Sequence, residues 1–258
     1  MFVTTAGRTK EKMIKEAQMI AADLKIDYAP RLKRSVRALQ EIYADDCLVV
    51  GKERLELYPL GERQPFFFHP NSSMFRIKRL QAGENDPFIE ACQLKKGSQL
   101  LDCTLGLASD SIVASFVVGG EGNVVGIEGN PFIAYIVEKG LQSWDAVDAE
   151  INAALKRISV VNCLSLEHLK KLESCSYDCV YLDPMFEHQI LESDGIKELT
   201  KFALYEDITQ DLIDHAKRVA KERVVLKDHY KSKRFAKFGF QVMRRKTAKF
   251  HYGILQIQ

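Results

Sequence analysis

From about residue 80 onward the chain alternates short apolar runs with longer amphipathic stretches, and this alternation limits its fold more than any other feature. The runs at 99–103, 123–127, 158–162, 178–182 and 223–227 have strand length. Stretches at 86–95, 108–118, 131–143, 146–156, 165–174 and 209–221 have helical spacing. Strands apolar on both faces have no side to give to water, so they imply a parallel sheet covered by helices above and below. Near the end, 240–243 and 250–258 read as two more strands joined by a basic connection, an antiparallel pair that predicts a reversed edge. The expected fold class is α/β, a doubly wound, mostly parallel sheet with an antiparallel C-terminal strand. Before it, Met13, Ile14, Ala17, Ile20, Ala21 and Leu24 fall at helical spacing, 31–40 repeats that pattern, and 47–50 and 54–58 form short strand-like runs. Pro59, Gly61, Pro65 and Pro70 then punctuate the chain. The expected organisation is a small α/β appendage over 1–70 and a main domain over 71–258.

In an open parallel sheet, ligands bind beyond the carboxyl ends of the strands, where strand order reverses, so the residue after each strand carries the information. The first strand gives Asp102, then a turn with Gly106, then a helix whose free N–H groups begin near Ser109 and Asp110. One glycine is too few for a pyrophosphate loop. The second strand ends in Glu128-Gly129, placed to accept hydrogen bonds from ribose hydroxyls. The two turns together favour a nucleoside-bearing cofactor without a pyrophosphate, which fits S-adenosylmethionine (SAM).

The fourth strand runs into Asp183-Pro184-Met185-Phe186. An exocyclic amine on a base is a poor nucleophile because its lone pair is delocalised into the ring. The Asp183 carboxylate and the Pro184 carbonyl can accept hydrogen bonds from such an amine, favouring a pyramidal nitrogen whose lone pair faces the methyl donor. Phe186 can stack on the base, an interaction worth roughly 1–3 kcal/mol. Attack is then an in-line displacement in which positioning matters most.

These residues resemble class I SAM-dependent methyltransferases that act on amino groups. More narrowly, the segments 101–110, 128–131, 180–188 and 221–227 are similar to the J-type small-subunit ribosomal RNA guanine-N2 methyltransferases, with the likeness spanning about 75–230. The resemblance implies a Rossmann-like fold and cofactor contacts from Ser109, Asp110, Glu128, Gly129, Leu164, Ser165 and Asp183, with Asp102 and Gly106 shaping the same pocket. It also implies ribosomal RNA or the small ribosomal subunit as partner. Ala108-Ser109 stand where that family usually carries Gly-Arg. The same residues also fit a methyltransferase of another amine or amide, or a non-catalytic RNA-binding protein that keeps the fold.

Net charge is only +2, yet residues 120–209 carry 7 basic and 16 acidic side chains while 210–258 carry 13 and 4. Residues 229–258 hold eight Lys/Arg and no acid. Such polarity can steer a polyanion toward one face, although a charge run taken alone is better read as a solvated surface. Candidate phosphate contacts are Lys231, Lys233, Arg234, Arg244 and Arg245 in this tail, with Arg76, Lys78 and Arg79 ahead of the first strand. Six scattered cysteines without Cys-x-x-Cys spacing point to free thiols in a reducing cytoplasm, with no zinc site. No apolar run has membrane-spanning length and the first residues lack a signal-peptide core. A cytoplasmic enzyme is expected.

Overall fold

A computed structural model describes residues 1–184, 202 and 207–257. Met1–His69 forms the body of one compact unit. The described residues from Pro70 to Pro184, with 207–257, form a second.

The first unit contains β1 (Phe2–Thr5), α1 (Glu11–Leu24), β2 (Asp27–Tyr28), α2 (Val36–Tyr43), β3 (Cys47–Val50) and β4 (Leu55–Tyr58). Its sheet has the order β2-β1-β3-β4, with β1 parallel to β2 and β3, and β4 antiparallel to β3. α1 buries Met13, Ala17, Ile20 and Ala21, the face its spacing predicts. α2 begins later than its pattern suggests. Leu32 and Lys33 both have left-handed φ, and Ser35 then caps the helix by accepting the Ala38 N–H at 3.0 Å. Strand β1 has no sequence counterpart among the expected elements because Thr4 and Thr5 break its apolar look. Both threonines are fully buried, and the Thr4 hydroxyl donates to the Ala29 carbonyl at 2.7 Å.

The second unit opens with α3 (Asn71–Gln81) and α4 (Pro87–Cys92). It continues with β5 (Gln99–Asp102), α5 (Ser109–Val118), β6 (Asn123–Glu128), α6 (Pro131–Ser143), α7 (Ala149–Arg157), β7 (Ser159–Asn162), α8 (Ser165–Lys171) and β8 (Tyr177–Leu182). The last elements are α9 (Gln210–Val219), β9 (Ala220–His229), α10 (Arg234–Lys237), β10 (Gln241–Met243) and β11 (Phe250–Gln256). Helix α3 is polar and buries only Ser73 and Ile77, so no periodic apolar face announces it. Pro131 stands at the first position of α6, whose cap Asn130 accepts from the Phe132 and Ile133 N–H groups. Among the described residues no helix is long and apolar enough to cross a membrane.

The large sheet has the order β10-β11-β9-β8-β5-β6-β7. From β5 the chain steps outward to β6 and β7, then returns to lay β8 on the other side of β5. Strand order therefore reverses between β5 and β8, which opens a crevice at their carboxyl ends. Central strand residues Leu100, Leu101, Val180, Val224, Val225 and Leu226 are completely buried. On one face Leu101, Val180, Val224 and Leu226 pack with Leu212, Ile213, Ala216 and Val219 of α9. Burying each such side chain contributes about 1.5–3 kcal/mol, so the strand ends rest on a stiff base.

One topological expectation is corrected. The reversed strand is not the edge: β11 lies between β9 and β10 and is antiparallel to both, so β10 runs with the parallel strands. The reason lies in length and burial. β11 pairs with β9 over seven residues and buries Tyr252 and Gly253, whereas β10 is three residues long and mostly exposed, which suits an edge.

Candidate active site

The turn after β5 is organised by one buried carboxylate. Asp102 accepts the Thr104 N–H at 3.0 Å through Oδ1 and the Ser111 hydroxyl at 2.6 Å through Oδ2, tying the strand end to α5. Burial pushes its pKa up to about 7, against the pull of those two donors. Gly106 and Ala108 both take left-handed φ, +49° and +60°. Glycine adopts that conformation freely and alanine at some cost, so Ala108 occupies a backbone position that favours glycine. No side chain caps the start of α5 among the described residues. Its first-turn N–H groups, at Ser109 and Asp110, are therefore available to a ligand.

The tip of β6 is joined to this turn. Glu128 accepts the Gly106 N–H at 3.2 Å and the Asn130 N–H at 2.9 Å, one on each carboxylate oxygen. Behind it Leu105 lies against Gly126, where an added Cβ would come within 2.3 Å of the leucine Cδ1. The tip of β7 closes on the same place: the Asn162 side-chain amide donates to the carbonyls of Glu128 and Gly129, at 2.8 and 3.1 Å. After Leu164, which is 41% exposed, the buried Ser165 hydroxyl donates to the Cys103 carbonyl at 2.6 Å. The ends of β5, β6 and β7 are thus linked by direct hydrogen bonds.

The tip of β8 joins them. The Asp183 N–H donates to Thr104 Oγ1 at 2.7 Å, and the same hydroxyl donates on to Asp102 at 3.3 Å. On β9, Lys227 Nζ donates to Asp183 Oδ2 at 2.6 Å and to Asp110 Oδ2 at 3.2 Å. Asp110 also accepts from the Tyr181 hydroxyl at 2.8 Å and from Arg76, whose guanidinium is held bidentately by Asp86 at 2.8 and 2.9 Å. The result is a chain of alternating charges, Asp86, Arg76, Asp110, Lys227 and Asp183, running from α3 to the crevice. It contains three carboxylates and two cations, so one negative charge is left over, and the chain ends on the partly exposed Asp183.

The electrostatics follow from that arrangement. Burial pushes the Asp183 carboxyl up to about 6, and Lys227 limits the rise. Burial would raise Asp110 too, but Lys227 and then Arg76 hold it well below the usual carboxylate range. Burial pulls against the charge on Lys227, yet Asp110 and Asp183 together keep its pKa above that of a free lysine. Asp183 is therefore ionised at neutral pH but close enough to neutrality to take a proton.

The structure gathers Asp102, Gly106, Ser109, Asp110, Glu128, Gly129, Leu164, Ser165, Asp183 and Pro184 at the carboxyl ends of β5, β6, β7 and β8. Phe186 lies outside the described residues. The Asp110 carboxylate is committed to Arg76, Lys227 and Tyr181, which leaves the backbone N–H expected at this turn as the group that can meet a ligand. One expectation needs correction: Arg76, expected to face phosphate, is instead held inside by Asp86 and Asp110 with its side chain 18% exposed. Among the other basic candidates, Arg79 pairs with Glu84, Arg234 is tied to Asp207 and Asp228, and Lys78, Lys231, Lys233 and Arg244 are exposed. Arg245 is half-buried. Sequence reasoning missed Lys227 and Tyr181, although a lysine closing the apolar run Val224-Val225-Leu226 is itself a signal.

Comparison with known proteins bears on this arrangement. A family model described as a SAM-dependent methyltransferase matches residues 33–252. The protein YpiP of Bacillus subtilis is 48% identical over 98% of each chain. Ribosomal RNA small subunit methyltransferase J of Yersinia pseudotuberculosis is 30% identical, over 70% of this chain and 72% of that one. The Tolumonas auensis protein of the same name is 32% identical, over 70% and 74%. Among solved structures, a SAM-dependent methyltransferase from Neisseria gonorrhoeae aligns over 99% of this chain and 96% of its own, with a TM-score of 0.64 at 16% identity.

Proposed function

The chain belongs to the SAM-dependent methyltransferase family, and on that premise we propose that it methylates an exocyclic amine, the N2 of a guanine in small-subunit ribosomal RNA. The residues present fit the cofactor. A carboxylate at the tip of β6 suits ribose hydroxyls, and uncapped N–H groups at the start of α5 suit the carboxylate of an amino acid. In this reading Glu128 holds the ribose, Gly106 and Gly129 let the backbone approach, Ser109 and Asp110 donate from the main chain, and Leu164 and Ser165 line the adenosine side. Bound SAM supplies a methyl group activated by the sulfonium to which it is attached.

The chain's own part is to present the amine. Asp183 and the Pro184 carbonyl accept its N–H groups and turn its lone pair toward the methyl group. Lys227 keeps Asp183 ionised and fixes one of its oxygens. Once the nitrogen has gained a methyl group it must lose a proton, and a carboxylate with a pKa near 6 can take it. Phe186, three residues past Asp183 in the sequence, is the proposed stacking surface for the base. The observation that carries the proposal is the Asp183–Lys227 pair at the crevice, linked through Thr104 to the turn after β5. The names of the relatives and the basic C-terminal segment supply the RNA part of the reading.

The test incubates the protein with isotopically labelled SAM and small ribosomal subunits, or their RNA, from cells lacking it, then maps the label by mass spectrometry. The expected product is N2-methylguanosine at one position. Label on another atom, or on protein alone, overturns the proposal.

A further inference from the structure

Beside the Asp183 corner, the carboxyl end of β9, the start of β11 and the connection before it gather aromatic and basic side chains, of which only Lys227 has a part in presenting the amine. Lys227 Nζ and the Arg245 guanidinium carbon both lie over the ring of Phe250, at 4.9 and 4.6 Å from its centre. Arg245 is thereby connected through a single ring to the lysine that holds Asp183. Its Nη1 is buried and has no hydrogen-bond partner among the described residues, a costly state for a guanidinium donor, and the residue as a whole is only half-buried, so the group keeps donor capacity to offer an anion. The Arg245 backbone N–H donates to His251 Nδ1 at 3.3 Å, and the His251 ring lies 6.2 Å from that of Tyr230, which is 47% exposed and tilted against His229 at 4.6 Å. Lys231 Nζ lies 5.4 Å from the Tyr230 ring. The segment from 229 to the chain end contains no acid, so nothing within it repels a phosphate.

We propose that this mouth is a nucleotide-binding platform for single-stranded RNA, in which Arg245 takes the phosphate next to the target base and Tyr230 stacks the neighbouring base. The inference rests on the RNA reading above and adds to it a specific site. A base whose amine reaches Asp183 is out of its helix, so its neighbours are unstacked and gain from a new aromatic partner. An exposed tyrosine offers that partner whatever the base, and a guanidinium already braced on Phe250 loses little freedom in binding a phosphate. The two elements have different signatures: stacking contributes affinity without counterion release, while a phosphate contact contributes to salt dependence.

The experiment titrates the full chain into a short fluorescein-labelled single-stranded RNA and follows anisotropy at several salt concentrations, for wild type, Tyr230→Ala, Tyr230→Phe and Arg245→Gln. SAM affinity, measured by calorimetry, checks that each variant keeps its fold and cofactor site. Tyr230→Ala is expected to weaken RNA binding roughly 5- to 150-fold with an unchanged salt slope, and Tyr230→Phe to restore it. Arg245→Gln is expected to weaken binding and lower the slope of log affinity against log salt by about 0.7. Wild-type RNA affinity in both Tyr230→Ala and Arg245→Gln overturns the platform and leaves the RNA reading standing. A wild-type protein that binds SAM but no RNA overturns both.

Discussion

Asp183 is asked to do two things that pull in opposite directions. In the proposed reaction it must be ionised to accept the amine's N–H groups, yet basic enough to take a proton afterwards. Burial raises its pKa to about 6 and Lys227 stops it from going further. Methyl transfer should therefore rise with pH through about 6 and level off, because the active form is the carboxylate. Replacing Lys227 with methionine removes the neighbouring positive charge, so the carboxyl titrates at higher pH and the acid limb of kcat/KM moves upward. A profile measured between about pH 5 and pH 9 checks both statements. An acid limb that stays in place in Lys227→Met would show that the ammonium does not set the ionisation of Asp183.

At the scale of elements, α3 matters more than its sequence suggests. It is a polar helix with one buried apolar residue, yet it carries Arg76 into the pocket between Asp86 and Asp110. Arg76→Met leaves two carboxylates without their shared cation, one at the cap of α4 and one at the first turn of α5. Breaking a buried pair in this way costs roughly 3–5 kcal/mol, the lower end applying here because the guanidinium is not fully enclosed. The urea midpoint should fall accordingly, and SAM affinity should fall with it, since Asp110 sits in the first turn of α5. A variant with wild-type stability would mean that α3 is held by Ser73 and Ile77 alone.

For the molecule as a whole, what was legible in the sequence and what was not divide along a physical line. Strand and helix signals are local, so the alternation from β5 to β9 stands out, and with it the rule that the residue after each strand faces the crevice. Asp102, Glu128 and Asp183 are found by that rule alone. Elements without a local apolar period, β1 with its buried threonines and α3 with its single isoleucine, leave no such trace. Neither do partners brought together by tertiary structure: Lys227 lies 117 residues from Asp110 and 44 from Asp183. The place of β11 inside the sheet is equally non-local, because it depends on how much of each late strand can be buried. The central claim is that the Asp-Pro corner of β8 presents the amine. The most direct measurement is the single-turnover rate of methyl transfer by Asp183→Ala at saturating SAM, with RNA or subunits from cells lacking the protein as acceptor. The account predicts a fall of at least about a hundredfold in a variant that still folds. Transfer at the wild-type rate would contradict it.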